Sequence, residues 1–296
     1  MFKNRARFWL AMTVIFSLLA LSFACGGKKD ETGGGGGGEP ETAGGAKWTA
    51  KGDEGTITGK INLNGEAPAP SKIDMGADAN CAQKNPDAKT ETVLAKDGKL
   101  QNVFVYIKDG TLADGKKISD FSFDIRTPEA KLDQNGCHYV PHVLGMQPGQ
   151  KLVVTNSDPT THNVHAIPAS GKGNEEWNEQ QGPGAPPITT HTFKRSEILV
   201  PVKCNIHNWM KAYIGVVKHP FFAVSKDDGS FEITGVPPGS YTVVAWHEKY
   251  GEKTATVKVD AKGTATSDFS FDATASASGP SSLQMMPALE LPAGGH

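Results

Sequence analysis

Lys203-Cys204-Asn205-Ile206-His207-Asn208-Trp209-Met210 puts a thiol, an imidazole and a thioether at positions i, i+3 and i+6 of one short stretch, with β-branched runs on both sides. Those are the ligand types that soft copper favours. Two His and one Cys in a trigonal plane, with a weak axial Met, make the ligand set of an electron-transfer copper centre. The loop supplies three of these four ligands, which predicts that an upstream His supplies the other. His162 is the candidate, in Asn156-Ser157-Asp158-Pro159-Thr160-Thr161-His162-Asn163-Val164-His165. It follows the β-branched run Lys151-Leu152-Val153-Val154-Thr155, which can deliver it to the same end of a sandwich. The plainer alternative is a half-buried core thiol at Cys204 beside two incidental histidines.

The loop is framed by strand signals. Ile188-Thr189-Thr190-His191-Thr192-Phe193 and Ile198-Leu199-Val200-Pro201-Val202 lead into it, and Tyr213-Ile214-Gly215-Val216-Val217 leaves it. Residues 168 to 190, with Trp177, read as a long loop. Side chains alternate along a strand, so if His162 faces a metal, His165 faces away. Further upstream, Gly136-Cys137-His138-Tyr139-Val140-Pro141-His142 is rich in possible ligands. His142 either packs beside the site or extends its ligand set, and both readings stay open.

The same grammar runs through the rest of the chain. Thr56-Ile57-Thr58-Gly59-Lys60-Ile61-Asn62-Leu63 alternates and ends at Asn64-Gly65, a turn signal. Val103-Phe104-Val105-Tyr106-Ile107 is apolar on both faces, as a central strand is, and Phe121-Ser122-Phe123-Asp124-Ile125 alternates again. Residues 66 to 98 look like an irregular loop containing Cys81. After His219-Pro220 come short strands cut by Asp227-Asp228-Gly229 and Gly235-Val236-Pro237-Pro238-Gly239, with His247 at a partly exposed strand end. Helical periodicity is scarce, so the expected fold class is all-β. A net charge of −2, with no basic run beyond the first residues, argues against a nucleic-acid partner.

The Cys-x-x-His-x-x-Met spacing and the His162-Asn163-Val164-His165 segment resemble the cupredoxins, the blue copper proteins of the amicyanin and plastocyanin kind. The resemblance implies a Greek-key β-sandwich over 137–218 with His162, Cys204, His207 and Met210 as copper ligands. It also implies that Asn163 braces the Cys204 sulfur and that His207 lies near the surface as the electron's exit. Trp209 and Trp177 then either belong to an apolar docking patch or sit in the core. Residues 219–272, with Asp-Gly-x-Phe and Val-Pro-Pro-Gly-x-Tyr turns, resemble the carboxypeptidase regulatory-like domain, a small transthyretin-like sandwich with no catalytic residues. The segment 56–136 can pair with either sandwich.

At the N-terminus, Lys3, Arg5 and Arg7 precede an apolar stretch from Phe8 to Phe23, the pattern of an export signal. Leu21-Ser22-Phe23-Ala24-Cys25 resembles a bacterial lipobox, which implies a lipidated Cys25 after a signal peptide of 1–25. The alternative is an uncleaved N-terminal anchor. Residues 26–55, with the run Gly33 to Gly38, form a flexible tether, and 273–296 a disordered tail. If Cys25 carries lipid and Cys204 copper, Cys81 and Cys137 remain to form a disulfide in an oxidising compartment. The rival is that Cys137 joins the metal site.

The expected protein is an exported, lipid-anchored type 1 copper carrier, periplasmic or at the cell surface. It passes single electrons between redox protein partners such as a cytochrome or an oxidoreductase. A site closed by four protein ligands leaves no position for a small-molecule substrate, so no enzymatic activity is expected. The alternatives are a copper delivery or buffering protein and a noncatalytic surface-binding module.

Overall fold

The structure, a computed structural model, describes residues 45–275. The expected signal peptide with Cys25, the Gly33 to Gly38 run and nearly all of the expected tail lie outside the described residues. Strands of three or more residues begin with β1 (Gly55–Asn64), β2 (Phe104–Leu112), β3 (Glu129–Gln134), β4 (Val143–Met146) and β5 (Lys151–Asn156). They continue with β6 (His162–Ala166), β7 (Trp177–Gln181), β8 (Glu197–Lys203), β9 (Lys211–Val216) and β10 (Phe222–Val224). The last are β11 (Ser230–Val236), β12 (Gly239–His247), β13 (Gly251–Val259), β14 (Thr264–Thr266) and β15 (Phe269–Asp272). The fold is all-β, as expected.

Pairing sorts these strands into two sandwiches. One sheet is ordered β10-β2-β12-β13, and it faces a second sheet centred on β1, which pairs with β11, β14 and β15 and with Lys99–Leu100. This frame is entered by β1 and β2 and completed by β10 to β15. Between them the chain builds the inserted sandwich, from β7-β6-β8-β9-β4 and from β5-β3 with Tyr139–Val140. Strand β3 pairs in parallel with β5 over six residues, so the inserted sandwich begins upstream of residue 137, where the ligand-rich run starts. Only Ala130 and Leu132 of β3 are buried apolar residues, too weak a pattern to mark the boundary.

Burial explains the unbroken apolar run in β2. Val105 and Ile107 enter the frame's own core, whereas Phe104 and Tyr106 point the other way into a cluster with Val143, Val217, Val244 and Trp246. The sheet is thus covered on both faces, by the frame's other sheet and by the insert. Phe104 lies over Gly145 and Gly215, paired residues of β4 and β9. A Cβ at Gly215 would stand 2.5 Å from the Phe104 ring, closer than any real contact, so the two sandwiches meet through a gap that only glycine leaves.

Several local expectations change. Residues 66–98 are not wholly irregular: α1 (Ala79–Lys84) forms because Asp78 caps it, accepting from the Asn80 and Cys81 amides at 2.8 and 3.1 Å. Order begins upstream of Thr56, since Ala46–Lys47 pairs with Phe121–Ser122 and Trp48 meets the Phe121 ring edge-on at 5.1 Å. Beyond Ser122 the alternating run does not continue as a strand. The loop read over 168 to 190 contains β7, whose polar sequence carries no apolar signal but pairs with β6 throughout. Ile188 to Phe193 is reduced to one bridge, Val154 to Ile188. His247 is buried, stacked on Tyr250 at 4.8 Å, rather than partly exposed.

His219 is buried and neutral: its Nε2 donates to the Ile107 carbonyl at 2.9 Å and its Nδ1 accepts from the Phe221 amide at 3.3 Å. Burial pushes its pKa down to about 4. The unfolded chain therefore takes up the proton first, and stability rises with pH between about 4 and the unfolded value of about 6.5. Replacing His219 with Gln should flatten part of this slope. The stability difference between wild type and variant in urea should shift by up to about 3 kcal/mol from pH 7.5 to 4.5. An equal difference at both pH values would remove His219 from the account.

Candidate metal centre

His162 opens β6 and Cys204 directly follows β8, adjacent antiparallel strands whose pairing of His165 with Lys203 brings the two residues to one end of the insert. The ligand loop is then tied to itself. The Cys204 amide donates to the Met210 carbonyl at 3.2 Å, the Met210 amide to the His207 carbonyl at 2.9 Å, and the His207 amide to the Cys204 sulfur at 3.3 Å. One donor atom each from His162, Cys204 and His207 lies within 4.8 Å of the others. The two Nδ1 atoms face each other at 2.9 Å, and His207 Nδ1 is 3.8 Å from the Cys204 sulfur. All three side chains are buried, and Met210 is buried in the same apolar cluster as Cys204.

Asn163 sits where the resemblance implies. Its Oδ1 accepts from the Asn205 amide at 2.7 Å and from the Cys204 thiol at 3.3 Å. His165, three residues along β6, points away, to Asn205 and Glu176. Cys81 and Cys137 form a disulfide, which removes Cys137 as a free thiolate. His142 is elsewhere, hydrogen-bonded to Glu248 at 2.6 Å.

Two carboxylates that the sequence did not single out complete the arrangement. Asp158, wholly buried, accepts from His162 Nε2 at 3.0 Å, from the Gly136 and Cys137 amides at 2.8 Å each, and from Lys84 at 2.9 Å. Asp78 caps α1 with one oxygen and with the other accepts from Thr160 at 2.7 Å and His207 Nε2 at 3.2 Å. Each carboxylate accepts the Nε2 proton of its imidazole and leaves Nδ1 turned inward toward the thiol, where a proton on His162 Nδ1 bridges the two rings. The four-residue spacing of Asp158 and His162 is visible in the sequence, but nothing there joins Asp78 to His207.

These contacts also correct an expectation. His207 does not reach the surface: it is 2% exposed, with Asp78 and the Cys81 sulfur, 3.8 Å away, over its outer nitrogen. The disulfide draws α1 onto the end of the sandwich, and the helix covers the imidazole edge. The exposed apolar residue of the loop is Ile206, at 53%.

The electrostatics are those of a cation site. Burial alone raises the Cys204 pKa, but hydrogen bonds from His162 and from backbone amides outweigh it and hold the thiol below its usual range. Burial disfavours charge on His162, yet Asp158 and Cys204 lift it to about 9. Burial and the positive charge of His162 press His207 the other way. A thiolate, two imidazoles and a buried thioether suit a soft or borderline ion such as copper.

Fold and donors together define a class: an all-β chain of two joined sandwiches, one of them carrying a buried Cys and His donor set. Residues 214–272 match the carboxypeptidase regulatory-like domain family. The comparison with curated proteins finds no match. Among solved structures the chain is similar to a copper-containing nitrite reductase from Thermus scotoductus SA-01, at 21% identity and a TM-score of 0.27. That similarity covers 30% of this chain and spans only 22% of the reductase. It is also similar to a purple cupredoxin from Nitrosopumilus maritimus, at 23% identity and TM-score 0.23, over 30% of this chain and 99% of that one. A methionine-to-alanine mutant of amicyanin in the Cu(I) form is similar at 16% identity and TM-score 0.23, over 32% of this chain and 97% of that one.

Replacing Asp158 with Asn keeps the shape and removes the charge that His162 and Lys84 share. Breaking a buried pair in this way should destabilise the protein by on the order of 3 kcal/mol in chemical denaturation. In NMR titration of the metal-free protein, the His162 imidazole should titrate well below 9. Unchanged stability and titration would show that Asp158 does not hold the site.

Proposed function

We propose that this chain is a type 1 copper protein that carries single electrons between protein partners. The observation that carries the reading is the convergence of His162 Nδ1, His207 Nδ1 and the Cys204 sulfur in one buried position beside Met210. Bound there, copper supplies one-electron chemistry, cycling between Cu(II) and Cu(I). The residues do the rest. Asp158 and Asp78 hold both imidazoles by their outer nitrogens, so the donor geometry is set before a metal arrives. Asn163 and the His207 amide fix the sulfur. Burial keeps water out, and a ligand set made only of protein atoms offers no position to a substrate, which favours a carrier over an enzyme.

Because α1 covers His207, electrons are proposed to leave beside it. The Trp209 ring, half-buried, lies 5.1 Å from the His207 ring and donates to the Cys137 carbonyl at 3.1 Å. Ile206 supplies exposed apolar surface on the same loop for docking a cytochrome or oxidoreductase. On this reading the lipobox-like Cys25 anchors the chain to a membrane outside the cytoplasm, and the glycine run lets the folded part reach its partners.

The test is to load the full-length chain with Cu(II) and record visible absorption and EPR. An intense thiolate-to-copper band with narrow copper hyperfine splitting is expected, lost when Cys204 becomes Ser. A weak, broad ligand-field band would instead mark a delivery or buffering protein and sink the carrier proposal.

A further inference from the structure

A second cluster lies where the two sandwiches meet and shares no donor with the first. Glu91 Oε2 is 3.2 Å from His138 Nδ1 and 3.7 Å from His142 Nδ1. The His142 imidazole is more than nine-tenths buried and that of His138 nearly so, and His142 Nδ1 has no hydrogen-bond partner. The other nitrogen of His142 donates to Glu248 at 2.6 Å, and Tyr213 donates to the second Glu248 oxygen at 3.0 Å. Glu248 follows β12 of the frame, whereas His138 and His142 precede β4 of the insert. These groups, with Trp209 and Lys211, line a cavity of about 110 Å³.

We propose that Glu91, His138 and His142 form a second metal site, for a divalent transition ion of the zinc class. A tetrahedral ion with bonds of 2.0 to 2.2 Å holds neighbouring donors roughly 3.3 to 3.5 Å apart. The distances from Glu91 to the two imidazoles bracket that spacing. Closing all three donors on one ion requires the two imidazoles to turn toward each other around Glu91, whose side chain is a third exposed and can follow. A buried imidazole nitrogen without a partner is costly, and a metal bond answers it. Glu248 then plays the orienting part: a carboxylate on the far nitrogen of a ligating His fixes the ring and raises its basicity. With both imidazoles neutral, as a metal bond requires, two carboxylates against one lysine leave the cluster negative. Two imidazoles and a carboxylate suit zinc and its neighbours rather than calcium or magnesium, which take oxygen. A fourth position opens onto the cavity for water or a small ligand.

The site is independent of the copper reading, so it is tested with the first site disabled. In the full-length chain carrying Cys204→Ser, Zn2+ is titrated against a chromogenic chelator. One ion should bind with an affinity that falls at least tenfold in Glu91→Gln, disappears in His142→Ala, and falls 10- to 100-fold in Glu248→Gln. Zn2+ should also raise the thermal midpoint of the Cys204→Ser chain but not of its Glu91→Gln derivative. Glu91→Gln preserves shape at a partly exposed position, so it decides the matter even if His142→Ala fails to fold. Equal zinc affinity with and without Glu91→Gln would overturn the proposal and leave the cluster a set of ion pairs bridging the sandwiches.

Discussion

The buried carboxylate of Asp158 is the group on which the candidate copper centre depends. A charge removed from water is tolerated only when it is fully paired, and Asp158 meets that condition with donors from three directions: His162, the Gly136 and Cys137 amides, and Lys84 at the end of α1. One residue therefore links the upstream imidazole, one half of the disulfide and the helix that covers the loop imidazole. Its own placement is local, since its amide donates to Asn156 Oδ1 at 3.0 Å in the turn between β5 and β6. Asp78 performs the matching task on the far side, capping α1 and holding His207 with the two oxygens of one carboxylate. The donor set is thus preorganised by charge and by the Cys81 to Cys137 crosslink, as well as by the loop that supplies most of it.

The joint between the sandwiches has a different physical origin. It is apolar and steric: Phe104 and Trp246 leave the frame's sheet on the face opposite its core, and Gly145 and Gly215 make room for the Phe104 ring. Because β2 and β12 are buried on both faces, the frame cannot shed the insert without exposing a row of aromatic and aliphatic side chains. The joint also brings Glu248 of the frame against His142 of the insert, a polar contact that neither sandwich makes alone.

Legibility followed the chemistry of each residue. Cys204, His207 and Met210 were readable because three soft donors at short spacing between β-branched runs are rare, and His162 because a strand delivers it. The disulfide was legible only as one of two readings of four cysteines, and the fold decided between them by placing Cys81 of α1 against Cys137. Strand β7 was not, because Trp177-Asn178-Glu179-Gln180-Gln181 carries no apolar alternation and becomes a strand only by pairing with β6. Nor was the burial of His207, which rests on Asp78, 129 residues earlier in the chain. The unbroken apolar run of β2 announced a strand covered on both faces but not what covered it.

The sequence by itself determined the all-β class and the donor types on the ligand loop, because side-chain chemistry and alternation are local properties that survive in one dimension. The tertiary structure decided which strands close the frame around an inserted sandwich, which carboxylates hold the imidazoles, and that the loop histidine lies under a helix. Those outcomes depend on hydrogen bonds and packing between residues far apart in the chain, and only the folded chain brings such residues within the few ångströms over which these forces act.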